Sequence, residues 1–116
     1  MTTKIYGIKN CDTMKKAFKW LDNQGINYEF QDYKKEAPSE AQASQWVKEL
    51  GWENVINKRG TTWRKLEEQT KESMNNTSAV EVMLENPSII KRPLIEHNGT
   101  TLLGFKEADY QALFCN

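Results

Sequence analysis

Apolar and polar positions along the chain change period several times, and each change marks an element. Residues 3–8, Thr-Lys-Ile-Tyr-Gly-Ile, read as a short strand. Met14, Ala17, Phe18 and Leu21 then fall at i, i+3, i+4 and i+7, one face of a helix. Gln24-Gly25 supplies its stop. From Ile26 to Phe30 apolar and polar residues alternate with strand period. A strand, a crossover helix and a second strand predict a parallel pair. Pro38-Ser39 opens the next helix, and Ser39 with Gln42 makes a capping box. Ala43, Trp46, Val47 and Leu50 carry its apolar stripe and Gly51 ends it. A shorter helix is predicted from near Thr62, with Trp63 and Leu66 inward. Another is predicted from Thr77 or Ser78, with Ser78 and Glu81 as its capping box. Val80, Met83 and Leu84 face inward there and Pro87 closes it. Lys71 to Asn76 is polar and reads as a loop. Pro93–Glu96 and Thr100–Leu103 flank His97-Asn98-Gly99, a strong hairpin signal. Glu107 to Phe114 completes the chain as a helix with Tyr110, Leu113 and Phe114 on one side.

The order is β-α-β, a helical insert at about residues 39–86, then β-β-α. It predicts an α/β protein with a mixed four-stranded sheet flanked by helices. This is the element order of the thioredoxin-like fold with helices inserted at its middle. The whole chain, 1–116, is expected to form one such domain, because 116 residues suit one hydrophobic core.

Composition narrows the function classes. Sixteen basic residues balance sixteen acidic ones, so no general attraction to nucleic acid or anionic lipid is expected. No stretch approaches the roughly 18 apolar residues of a membrane span, and the first residues lack the apolar core of a signal peptide. The two cysteines, Cys11 and Cys115, lie near opposite ends of the chain. That is neither a disulfide scaffold nor a clustered zinc site, so no metal is expected. The default is a cytoplasmic protein with reduced thiols.

Cys11 directly follows the first strand and directly precedes the first helix. There the unpaired N–H groups and the helix dipole favour an anion, which lowers a thiol's pKa. Lys9, Lys15 and Lys16 add positive potential if they point inward. The sequence continues Asp12-Thr13-Met14, so no internal C-x-x-C dithiol exists. An intermediate formed on Cys11 needs an outside thiol, or Cys115, which as the penultimate residue reads as an incidental terminal thiol. Arg59, in Asn57-Lys58-Arg59-Gly60, and Arg92, before Pro93, are loop arginines whose planar guanidinium suits an oxyanion or carboxylate. Pro93 holds Arg92 extended and is a candidate cis bond. His97 reads as an exposed turn residue.

Residues 5–13, 56–66 and 86–95 together resemble the ArsC/Spx family, nearest its YffB-like reductase branch. The resemblance spans nearly the whole chain. It implies that Cys11 is the nucleophile, Arg59 and Arg92 are two arginines that hold the substrate oxyanion, and Thr13 belongs to a Cys-x-Thr pattern. Asp12 and Pro93 join the implied substrate- or glutathione-binding set. No bound cofactor is implied; glutathione is the implied co-substrate, and glutathione or glutaredoxin the partner that completes the reaction. Three departures stand out. The third arginine of arsenate reductases is missing: Leu102-Leu103-Gly104-Phe105 occupies that segment, and Lys106 supplies charge without a bidentate fork. The histidine four residues before the cysteine is Gly7. The second cysteine of the Spx switch is Met14. The resemblance thus implies a monothiol reductase acting on a small oxidised substrate. Its alternatives are arsenate reduction proper, or an Spx-like regulator that binds the RNA polymerase α subunit near Gly51.

Overall fold

A computed structural model describes residues 3–115 and divides into two compact units, Met1–Lys35 with Arg92–Asn116, and Glu36–Lys91.

The first unit is built on a four-stranded sheet of order β2-β1-β3-β4. β1 (Thr3–Gly7) pairs parallel with β2 (Glu29–Asp32) and antiparallel with β3 (Leu94–His97), which pairs antiparallel with β4 (Thr100–Leu103). This is the mixed sheet expected of a thioredoxin-like fold. Asn98 and Gly99, at φ 50° and 80°, make the two-residue turn between β3 and β4. Both need the left-handed region, which Asn tolerates and Gly occupies freely.

Two helices complete this unit, α1 (Asp12–Asn23) and α7 (Glu107–Phe114). Met14, Ala17, Trp20 and Leu21 of α1 join Ile5, Ile95 and Tyr110 in one core. Each large side chain buried here contributes about 1.5–3 kcal/mol. Trp20 takes the inward place expected of Phe18, its ring edge-on to Tyr110 with centroids 5.5 Å apart. Phe18 lies at the margin of the stripe, stacked on Tyr28 at 5.6 Å.

The second strand starts later than its alternation suggests. Gly25 N–H donates to Asp22 O at 3.1 Å and Ile26 N–H to Leu21 O at 3.0 Å. These bonds wrap the end of α1 and take Ile26 out of the ladder. Ile26, Tyr28 and Phe30 still reach the core, so the predicted face is right and the predicted start is not.

The second unit is helical. Its elements are α2 (Glu40–Leu50), α3 (Trp52–Val55), α4 (Thr61–Arg64), α5 (Glu68–Glu72) and α6 (Asn76–Glu85), then a 3-10 turn at Pro87–Ile89. The Ser39–Gln42 capping box forms as expected. At α6 the box is Asn75 with Ser78, not Ser78 with Glu81. Asn75 Oδ1 accepts from the Ser78 N–H, and Ser78 Oγ from the Asn75 N–H, both at 3.0 Å. Asparagine is as good a cap as serine and lies one turn earlier, so the helix gains residues at its start. The segment read as a polar loop from Lys71 begins inside α5, an exposed element whose sequence lacks an apolar stripe. Met83 and Ala79 are buried, whereas Val80 and Leu84 are half-buried beside α2. Among the described residues no helix is long and apolar enough to cross a membrane.

Candidate active site

Cys11 is the N-cap of α1, extended at φ −142° and ψ 130°, with its side chain making no cap hydrogen bond. A helix begins here because Asp12 is the first residue of an amphipathic run and an acidic residue suits the positive end of the dipole. A thiol is a poor acceptor, so the first-turn N–H groups are left to act on the anion. The sulfur is half-buried. Burial by itself pushes the thiol pKa up. The N–H groups of Met14 and Thr13, then the hydrogen bond and charge of the Arg92 guanidinium, outweigh that and hold Cys11 below the ordinary thiol range. The lowered pKa of Cys11 thus has a geometric cause in Arg92 as well as one in its position at the start of α1.

Arg92 reaches the sulfur because β3 runs antiparallel to β1. The start of β3 therefore lies at the sheet end where β1 hands over to α1. The Arg92–Pro93 peptide is cis and Pro93 is buried. Pro93 O accepts from the Gly104 N–H at 2.8 Å, which ties residues just before β3 to those just after β4. Leu102 to Phe105, where the third arginine is missing, forms this support. Lys106 is the exposed N-cap of α7.

Of the expected residues, Cys11, Thr13 and Arg92 come together, Asp12 is exposed on the first turn, and Pro93 buttresses Arg92. Arg59 belongs to the helical unit, in the turn between Asn57 and Gly60. Its N–H donates to Asn57 Oδ1 at 3.1 Å, and its side chain is exposed with no hydrogen-bonding or ionic partner among the described residues. His97 is half-buried rather than exposed. Its Nδ1 lies 2.7 Å from Thr3 Oγ1 and its ring 4.5 Å from that of Phe114. Cys115 is exposed after α7.

Two features near the site were not read from the sequence. Tyr33 is 5% exposed and its hydroxyl has no hydrogen-bond partner among the described residues. Burial pushes its pKa far up, nearby Tyr6 and Glu96 add to that, and the Arg92 guanidinium opposes them. Its N–H donates to Gly7 O at 2.8 Å, which fixes where β2 ends relative to the Cys11 loop. No local pattern marks such a residue, since its neighbours come from pairing across the sheet. The second feature is the fit of Met14 against Gly7. A Cβ placed on Gly7 would lie 2.5 Å from Met14 Sδ and 2.9 Å from Met14 Cε. Met14 therefore fills the space in which a side chain at position 7 would start.

Replacing Arg92 by alanine is expected to raise the Cys11 pKa, because both the hydrogen bond and the charge of the guanidinium lower it. Arg92→Lys should fall between, keeping charge without the fork. Thiolate absorbance titrated in a Cys115→Ser background measures this. An unchanged titration in Arg92→Ala would remove Arg92 from the activation of the sulfur.

The ArsC family model matches residues 6–113. An uncharacterized protein of Haemophilus influenzae is 47% identical over 110 residues, 95% of this chain and 96% of that protein. Among solved structures, the YFFB (PA3664) protein is 47% identical with a TM-score of 0.93, covering 97% of this chain and 98% of that one. An arsenate reductase (ArsC) related protein from Brucella melitensis is 48% identical with a TM-score of 0.79, covering 98% and 95%.

Proposed function

The chain belongs to the ArsC family, and on that footing we propose that it is a glutathione-dependent monothiol reductase whose nucleophile is the Cys11 thiolate. The family and its arsenate-reductase-related members support a thiol-dependent, reductase-like chemistry. The observation that carries the finer reading is the activated Cys11 at the open start of α1 with the Arg92 guanidinium on its sulfur. A lone thiolate with no partner cysteine in its turn suits a reaction resolved from outside.

The substrate class we propose is a mixed disulfide of glutathione with a small thiol. The Cys11 thiolate attacks the glutathione sulfur, the disulfide breaks, and the substrate thiolate leaves with the electron pair and takes a proton. Cys11 then holds glutathione as a disulfide. A second glutathione thiolate attacks that sulfur, releasing oxidised glutathione and restoring the Cys11 thiolate. The net change is one disulfide reduced and two glutathione moieties joined. The α1 N–H groups and Arg92 stabilise the thiolate each time it leaves or forms. Arg59, with its unpartnered guanidinium, is assigned to glutathione carboxylates or an oxyanion. Thr13, Asp12 and Pro93 are assigned to the same binding region. Arsenate is a poorer fit, because two arginines in place of three leave more of its charge unmatched.

The test is NADPH oxidation coupled through glutathione reductase, with a glutathione-capped small thiol, reduced glutathione and this protein. Turnover proportional to protein is expected, with arsenate in place of the disulfide giving little. Adding glutaredoxin should not be required. No protein-dependent rate with several capped thiols would overturn the reading.

A further inference from the structure

Lys58 and Arg59 are adjacent residues of like charge in one exposed turn, and they are used in opposite ways. The Arg59 guanidinium has no hydrogen-bonding or ionic partner among the described residues. The Lys58 ammonium lies 4.8 Å from the ring centroid of Trp52 and 5.8 Å from that of Trp63. The two rings are stacked with centroids 6.4 Å apart and planes 23° apart. A third cation, Lys71 Nζ, lies 5.9 Å from the Trp63 ring and 3.4 Å from Arg64 O.

The elements joined by this cluster cannot hold themselves. α3 and α4 have four residues each and α5 has five, far below the roughly 12–15 at which an isolated helix becomes marginal. Neither α4 nor α5 has a buried residue. Before the turn, Asn57 N–H donates to Ile89 O at 2.8 Å, and Ile56 bridges Ile90. After it, Thr62 Oγ1 lies 2.8 Å from Ser88 Oγ. Between those anchors the turn has its own Asn57 bonds to Arg59 N–H and Gly60 N–H, at 3.1 and 3.3 Å. The Lys58 side chain also reaches α3 and α4, through the Trp52 and Trp63 rings.

We infer that Lys58 is a positioning residue: seated against the Trp52 and Trp63 rings, it latches the turn so that Arg59 is presented in one arrangement to an anionic ligand. This rests on the reading of Arg59 as a ligand-binding residue. A cation shared by two indole faces has a preferred place, and fixing one side chain of a four-residue turn limits the dihedrals open to its neighbour. A latched arginine also gives up less freedom when it binds a carboxylate. Lys58 itself is committed to the rings and is not a ligand contact.

The experiment compares the full-length chain with Lys58→Met, Lys58→Arg and Trp63→Leu. Amide hydrogen exchange at Arg59 and Gly60 reads the latch without reference to activity. The glutathione concentration giving half-maximal turnover reads its consequence. Lys58→Met and Trp63→Leu are each expected to speed exchange at those two amides about tenfold. Both should raise the half-saturating glutathione concentration several-fold with kcat little changed, and Lys58→Arg should restore both. Trp63→Leu keeps the lysine charge, so it separates a latch from direct attraction by Lys58. Unchanged exchange in Lys58→Met would overturn the inference. So would a rise in half-saturation in Lys58→Met that is absent in Trp63→Leu. If Arg59→Ala leaves half-saturation unchanged, the assignment of Arg59 fails, and the positioning role falls with it even where exchange shows a latch.

Discussion

Cys11→Ser is expected to reduce glutathione-dependent turnover at least about 10³-fold, to the uncatalysed background, while the fold persists. A serine hydroxyl stays protonated at neutral pH, and the groups arranged around position 11 stabilise an anion that serine does not form. In the native chain the rate should rise with pH as the thiolate forms and level off below the ordinary thiol range. In Arg92→Ala that limb should move to higher pH. Stability carries the matching sign. A thiol pKa depressed by folding favours the folded state above the unfolded pKa, and this contribution is lost as pH falls through the folded pKa. Cys11→Ser should therefore lower stability at alkaline pH and change it little in acid. Coupled turnover and urea melts at two pH values check both statements. Retained turnover in Cys11→Ser would place the chemistry elsewhere.

Gly7→Ala is expected to destabilise the protein by about 1–3 kcal/mol, because the added methyl meets a methionine that is itself fully buried. Met14→Ala should cost about 2–5 kcal/mol by leaving a cavity in the core beside Ile5 and Leu21. The two should not add. In Met14→Ala the methyl at position 7 enters vacated space, so the double variant should be more stable than the sum by on the order of 1 kcal/mol or more. A double-mutant cycle from denaturant melts measures the coupling, and an additive result would show that Met14 moves aside at no cost. The cycle also bears on why position 7 carries no side chain. The histidine of arsenate reductases cannot be accommodated there while Met14 holds its place.

Much of this was legible in the sequence because it is local. The α1 stripe, the Ser39 capping box and the Asn98-Gly99 turn each rest on residues within a few positions of one another. Cys11 was legible for the same reason: a strand-to-helix junction can be read directly, and its consequence for a thiol is elementary electrostatics. What escaped depends on residues far apart in the chain. Tyr33 meets Tyr6 and Glu96 only once three strands are in register. Trp20 displaces Phe18 as the inward residue because Tyr110, ninety residues later, supplies the surface it packs on. Of the short helices, α4 was read from near Thr62, whereas α3 and α5 lack a stripe because they bury little. The Asn75 cap was passed over in favour of a serine one turn later, a choice that local pattern alone leaves open. The resemblance placed Arg92 on the nucleophile, and the antiparallel pairing of β1 with β3 explains how it gets there.

That same pairing has a consequence for how the chain is made. β1 is one of the two interior strands of the sheet, yet its two neighbours differ in when they become available. β2 follows it within about one helix of chain, whereas Tyr6 waits for Glu96, a sequence separation of 90. During synthesis the β1-α1-β2 segment emerges first, with one side of its central strand unpaired until nearly the whole chain has been made. Closure of the sheet is a long-range event that local helix formation cannot hasten. Folding should therefore be slower than the helix content suggests, with its barrier set by the docking of the β3–β4 hairpin onto β1. The loop closed by that event contains the entire helical unit. The thiolate site is complete only then, because Arg92 arrives with the same hairpin.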